Sequence, residues 1–276
     1  MPAPRPTLGC PCAERHLVPA FAYSTRPVGE IAFGLDGPYR REYRRCTLCD
    51  HWFSHHTMDL SALYGGAYVD ATYGERLRQN YERIMALPAE RSDNFGRVAA
   101  VRAFAQRRFD NPRSAPRLLD IGSGLSVFPA RMKEAGWHCT ALDPDPRAAA
   151  HAREAIGIEA LTGDFLALAG GDLGTFDVIS FNKVLEHVDD PVAMLAASRR
   201  LVAVDGFVYL ELPDNAAAAD GPGREEFFIE HLHVFSAASL ALLAMRAGFR
   251  LLALEALREP SGKYTLRGFL EPVPVT

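Results

Sequence analysis

The chain lacks any long apolar run. None of its 276 residues lie in a stretch approaching the roughly 18 apolar residues that span a bilayer. Met1 to Cys12 contains prolines and arginine but no apolar signal core. These absences argue against a membrane partner and against export, so the cytoplasm is the expected compartment. An excess of one charge is missing too: 30 basic against 34 acidic residues leave a net charge of −4, which gives a polyanion little to bind. The patch Tyr39-Arg40-Arg41-Glu42-Tyr43-Arg44-Arg45 is the local exception, and its ordinary reading is a solvated strand face. With no basic stripe beyond it, a nucleic-acid substrate is disfavoured. Internal repeats are absent, and the only low-complexity tract is Ala216 to Ala219. Five cysteines are too few for a disulfide scaffold in a chain of this size.

What is present is enough apolar material, 48% of residues, for a large core or two modest ones. The cysteines are paired in sequence. Cys10 with Cys12 and Cys46 with Cys49 form two short knuckles, the arrangement in which four thiolates hold a structural zinc and staple a segment too small for its own core. Cys10-Pro11-Cys12 is one residue tighter than the usual spacing. His16, His51, His55 and His56 stand near enough to replace a thiolate, and reduced, partly buried thiols are the alternative. Cys139, on an apolar run, reads as a small core residue.

Residues 1–60 read as a zinc-stapled β unit with strand candidates at 30–33 and 39–45. Residues 61–113 turn helical, with helices expected over 75–87 and 94–109, each ending before a proline, and with Tyr64, Tyr68 and Tyr73 near helical spacing. From 114 to 276 strand and helix alternate. Strands are expected at 117–121, 138–142, 158–161, 176–181 and 206–212, with helices at 126–135, 146–155 and 191–202. A helix over 236–247 and a hairpin of 249–257 with 264–270 complete the chain. The pattern predicts an α/β, Rossmann-like, seven-stranded sheet, mostly parallel, with a terminal antiparallel hairpin.

The organising stretch is Arg117-Leu118-Leu119-Asp120-Ile121-Gly122-Ser123-Gly124-Leu125-Ser126, an apolar strand turning through glycines into a helix with backbone amides left bare. About 20 residues beyond the glycines, Asp143 ends the next strand, where Rossmann-type folds set a carboxylate against a ribose diol. Asp120 would repel a pyrophosphate at close range, so a cationic ligand suits this turn better than a dinucleotide.

With Thr162-Gly163-Asp164-Phe165, Phe176 to Asn182, Val184-Leu185-Glu186-His187-Val188 and Asp205 to Leu210, these motifs resemble, in order, those of the class I S-adenosylmethionine-dependent methyltransferases. The resemblance implies that Asp120, Gly122 and Gly124 hold the methionine part of the cofactor and that Asp143 holds the ribose. It further implies Asp164 at the adenine amino group, Phe165 against the ring, and Asn182 at the carboxyl edge of the sheet.

Glu225 to Ser236 resembles the Glu-His-x-x-x-Phe-Ser segment of zinc-containing sugar C-methyltransferases, which also carry a four-cysteine unit. That likeness implies a catalytic pair at Glu230 and His231, with His187 facing the substrate. An imidazole near neutral pKa beside a carboxylate is a sensible proton acceptor. The chain departs from those enzymes in lacking their C-terminal domain and in carrying Phe228 where a functional tyrosine is expected. The expectation is methyl transfer to oxygen or carbon of a small polar acceptor, a sugar or nucleotide sugar among them. The alternatives are a nucleotide-dependent oxidoreductase or epimerase, and a non-catalytic zinc-bearing module that keeps the cofactor pocket as structure.

Overall fold

The computed structural model describes residues 16–31, 38–58, 77–109 and 115–274. Cys10, Cys12, Tyr64, Tyr68 and Tyr73 lie outside them.

The larger sheet is built from β4 (Arg117–Ile121), β5 (His138–Asp143), β6 (Glu159–Thr162), β7 (Phe176–Asn182) and β8 (Val202–Pro213), with the hairpin β10 (Phe249–Arg258) and β11 (Tyr264–Pro272). Its order is β10-β11-β8-β7-β4-β5-β6. The central strands are parallel and β11 runs antiparallel to β8. Continuous apolar runs such as Leu118-Leu119 and Val178-Ile179 are required because helices cover both faces. The pleat sends Leu119, Ile121, Ile179 and Phe181 into one core layer and Leu118, Val178, Phe207 and Tyr209 into the other. The chain winds outward from β4 to β6, then crosses back to β7. The β4/β7 boundary is therefore where an open α/β sheet opens a crevice at its carboxyl edge.

Helices α1 (Leu77–Met85), α2 (Asp93–Arg108), α3 (Val127–Glu134) and α4 (Pro146–His151) fall close to expected spans, the short α5 (Phe165–Leu168) was not expected, and α6 (Pro191–Ala197) and α7 (Ala237–Arg246) again lie within expected spans. Two expected helices end early. After α4 the chain loosens into a wider turn over Ala152–Ile156, and after α6 it tightens at Arg199–Leu201, so β8 begins four residues before the expected start. In β8, a Cβ at Gly206 would stand 2.9 Å from the carbonyl oxygens of Ala203 and Asp177, so only glycine allows strands β7 and β8 to approach there.

The smaller sheet, β1 (Leu17–Tyr23), β2 (Arg41–Cys46) and β3 (Trp52–His56), is antiparallel and takes its fourth strand, β9 (His233–Val234), from the far part of the chain. Residues 30 and 31 of the expected strand at 30–33 are not strand, and β1 and β3 were not expected. The β1 signal is obscured by Pro19, which sits at a register break on an edge strand, where no ladder N–H is demanded. Phe227 packs edge-on to Tyr43 with ring centroids 5.2 Å apart, and Val234 completes this core. So small a sheet buries its aromatics only by borrowing residues from the larger body.

A buried histidine relay seals the junction. His51 Nδ1 lies 3.1 Å from Ser239 Oγ, His51 Nε2 lies 3.0 Å from His233 Nδ1, and His233 Nε2 donates to Val188 O at 3.1 Å. With both ring nitrogens engaged, His51 is not available to replace a thiolate. Burial pushes His233 down to about 4, outweighing the carbonyls of Val188 and Asp189, which favour its charged form. Its folded value lies below the ordinary 6.5, so the neutral ring favours the fold above pH 6.5 and stability falls as pH drops from 6.5 toward 4. Urea unfolding at pH 7.5 and at pH 4.5 should show a loss approaching about 3 kcal/mol from this histidine, and His233→Asn should flatten that slope. An unchanged slope would remove His233 as the cause.

Candidate active site

Asp120 ends β4 at the crevice, only 2% exposed. Its Oδ1 accepts from Ser180 Oγ at 2.6 Å and Asn182 Nδ2 at 2.8 Å, and its Oδ2 accepts from Ser123 Oγ at 2.7 Å. Burial raises its pKa, and these donors counter that. The carboxylate thus ties the glycine loop to β7. Asn182 Oδ1 is buried and accepts no hydrogen bond among the described residues. An orphaned acceptor beside a carboxylate is a fitting seat for a cationic amino group.

Gly122 adopts φ +66°, and a Cβ there would stand 2.7 Å from Val184 Cγ2, so the loop needs glycine for both conformation and space. Gly124 N–H donates to Asp143 Oδ2 at 2.7 Å and Asp145 N–H to Asp143 Oδ1 at 2.9 Å. Each oxygen keeps acceptor capacity for one hydroxyl of a diol. Burial raises the Asp143 pKa against the pull of these two amides. Asp164 caps α5 through Leu166 N–H at 2.6 Å and Ala167 N–H at 3.4 Å. Phe165 turns its ring into the core, edge-on to Phe181, and is 3% exposed, so its ring packs against the core. These residues fit S-adenosylmethionine: a diol acceptor, a bare cationic seat and a tight glycine turn line one sheet edge.

The same edge carries the histidines. His187 Nδ1 donates to Glu230 O at 2.8 Å and His231 Nδ1 donates to Glu226 O at 3.0 Å, with the two rings 4.9 Å apart. A carbonyl only accepts, so in neutral His231 the Nδ1 carries the proton and Nε2 presents a lone pair. Burial holds His231 well below the usual imidazole range, and His187 beside it adds to the effect.

No hydrogen bond joins the Glu230 carboxylate to His231 among the described residues, so the adjacent carboxylate is not what orients the ring. Neighbouring residues in an irregular chain point to different sides, and a backbone carbonyl five residues earlier does the orienting instead. Glu186, which sequence reasoning passed over, supplies the nearby carboxylate. A ligand atom from each of Glu186, His187 and His231 lies within 4.8 Å of the others, a group able to hold a cation or share a proton. Glu186 is fully buried, both its oxygens accept nothing among the described residues, and burial raises its pKa. Lys183 was also missed: it sits at φ +59° with Nζ donating to Thr265 Oγ1 at 2.6 Å, and burial lowers its pKa. The available signal for Glu186 was only its position one residue before His187, after a strand.

Beneath the site, burial pushes Glu211 up, but Arg97, which ion-pairs with it, and Lys183 and Arg267 outweigh this and hold it at about 2.

A parallel sheet with its crevice at β4/β7, a glycine turn and an acid ending the second strand define a Rossmann-like fold. The sequence model of a methyltransferase domain matches residues 91–254, more than half of the chain, and the chain belongs to this methyltransferase family. It is 33% identical over 127 residues to the ubiquinone biosynthesis O-methyltransferase of Caulobacter vibrioides, covering 41% of this chain and 50% of that protein. It is 37% identical over 113 residues to that of Cereibacter sphaeroides, covering 36% and 44%. The chain thus spans about half the length of the curated relatives it matches. Its fold is similar to that of the Burkholderia thailandensis 1,6-didemethyltoxoflavin N1-methyltransferase, solved with S-adenosylhomocysteine, at a TM-score of 0.56 and 20% identity over 81% of this chain and 96% of the other. It is also similar to the magnesium protoporphyrin IX methyltransferase of Synechocystis, at a TM-score of 0.53 and 14% identity over 72% and 97%.

Proposed function

We propose that the chain methylates an oxygen or carbon of a small polar metabolite, sugars and nucleotide sugars among the candidates, with His231 as general base. The observation that carries this is the fixed tautomer of His231, whose Nδ1–H donates to Glu226 O and whose Nε2 remains an acceptor, in a ring grouped with Glu186 and His187. When bound, S-adenosylmethionine supplies an activated methyl group for in-line displacement. Asp143, Asn182 and the Gly122 loop orient it, and His231 Nε2 takes the proton of the attacking hydroxyl or carbon acid. Glu186 stabilises the imidazolium so formed. Relatives named as O-methyltransferases support oxygen as the methylated atom.

In this reading residues 1–60 form the zinc-bearing unit, 61–113 the cap and 114–276 the catalytic body, working in the cytoplasm. Cys46 and Cys49 are buried together at the end of β2 and the following turn, packed by Leu17 and Leu242, as two thiolates of a structural zinc would be. Cys10 and Cys12 are assigned as the other ligands. Elemental analysis of protein purified without chelators should find one zinc per chain. Absence of zinc would remove the assignment.

The function itself is tested by incubating the protein with metabolite extract and cofactor labelled in the methyl group. A labelled product one methyl heavier than a polar metabolite is expected. Cofactor binding without any labelled product would favour a non-catalytic module.

A further inference from the structure

We propose that the N-terminal sheet is a working part of the active site, in which Tyr43, Glu30 and Arg41 are positioning residues that hold the backbone of 228–231 and thereby aim the His231 imidazole. The proposal rests on the reading of His231 as base. Tyr43 is fully buried; its hydroxyl donates to His231 O at 2.5 Å, with Phe228 O at 3.2 Å as a second acceptor. Glu30 Oε2 accepts from Ile229 N–H at 2.8 Å and from Arg41 Nη2 at 2.7 Å. Tyr39 OH donates to Glu30 Oε1 at 2.5 Å, and the Arg41 guanidinium lies 3.9 Å over the Tyr23 ring.

From the opposite side, His187 Nδ1 donates to Glu230 O at 2.8 Å and Leu232 N–H to Glu186 O at 2.7 Å. The segment that carries the base is therefore slung between two bodies, each gripping its backbone. The Arg41 and Glu30 side chains are wholly buried. A buried ion pair is a poor source of net stability but a strong constraint on geometry, and this one is spent on the N–H two residues before the base. Aromatic packing of Phe227 against Tyr43 would hold the segment in place without any of these polar bonds. What the polar bonds add is direction. Displacement of a reacting group by about 1 Å costs on the order of 10²-fold in rate.

Tyr43→Phe removes one hydroxyl and keeps the ring, so the packing survives. With the labelled-cofactor assay in hand, this variant should lose about 10 to 100-fold in kcat. KM for S-adenosylmethionine and calorimetric affinity for S-adenosylhomocysteine should stay within about twofold of wild type. Glu30→Gln keeps an oxygen for the Ile229 N–H and should retain more activity than Glu30→Ala. Without any acceptor, the 15N imidazole NMR signals of His231 in the full chain should move in Tyr43→Phe. If Tyr43→Phe keeps the wild-type rate and the wild-type His231 signals while His231→Ala is slow, the proposal is overturned and the base reading stands. Should His231→Ala turn over at the wild-type rate, the base reading itself fails. Loss of S-adenosylhomocysteine binding in Tyr43→Phe would also overturn the proposal, since the hydroxyl would then serve the fold as a whole.

Discussion

Replacing His231 by alanine is expected to slow methyl transfer by about 10² to 10⁴-fold, the span that general-base catalysis supplies. Affinity for S-adenosylmethionine should remain within about twofold, because no cofactor contact is assigned to the ring. The ring is held by a carbonyl that fixes its tautomer, so His231→Gln should not restore the rate: an amide presents an oxygen but accepts no proton. Glu186→Gln and Glu230→Gln then separate the two carboxylates. Only Glu186 shares with His187 and His231 a group whose ligand atoms lie within 4.8 Å of one another. Glu186→Gln should therefore cost more of kcat than Glu230→Gln, because the charge that stabilises the imidazolium is lost. A wild-type rate for His231→Ala across pH would assign Glu230 and His231 to structure and leave His187 as the ring to test.

Asp143→Ala should weaken S-adenosylmethionine binding by about 1 to 3 kcal/mol, roughly 5 to 150-fold, the scale of stranding buried polar groups. Two losses combine. The ribose diol loses its acceptor, and the amides of Gly124 and Asp145 lose the carboxylate that shapes the loop. The pH dependence has a definite sign. Diol hydroxyls donate to the ionised carboxylate, and burial raises the Asp143 pKa in the free protein. Cofactor affinity should therefore weaken as pH falls through that raised value and strengthen above it. Asp143→Asn should abolish this dependence while keeping more affinity than alanine. Calorimetry that finds the alanine variant as tight as wild type would sink the ribose assignment.

The two variants draw on different levels of organisation. Asp120, Gly122, Gly124 and Asp143 were legible in the chain because a strand ending in an acid and turning through glycines is a local event, completed within a few residues. The same holds for the central strands of the larger sheet, such as β4 and β7. Their apolar runs must be continuous when both faces are covered, and no distant contact is needed to see that. The histidine segment was legible only as residue types. That Nδ1 of His231 meets Glu226 O, or that Glu186 stands beside both rings, depends on how an irregular loop folds back on the turn after β7.

The smaller sheet marks the limit most clearly. Its edge strand β1 is broken by Pro19, and β9 is two residues long, so neither has a pattern to read. Periodicity reports burial against whatever lies on one face, and here that face is supplied by Phe227 and Val234, about 200 positions away. The sequence by itself determined the fold class and the glycine turn at the crevice edge of the sheet, because those follow from local pattern and side-chain type. Tertiary structure alone decided which atoms the histidine rings meet, which carboxylate stands beside them and that Tyr43 and Glu30 hydrogen-bond the backbone beside His231. Hydrogen-bond direction and burial arise only when segments far apart in the chain are packed together.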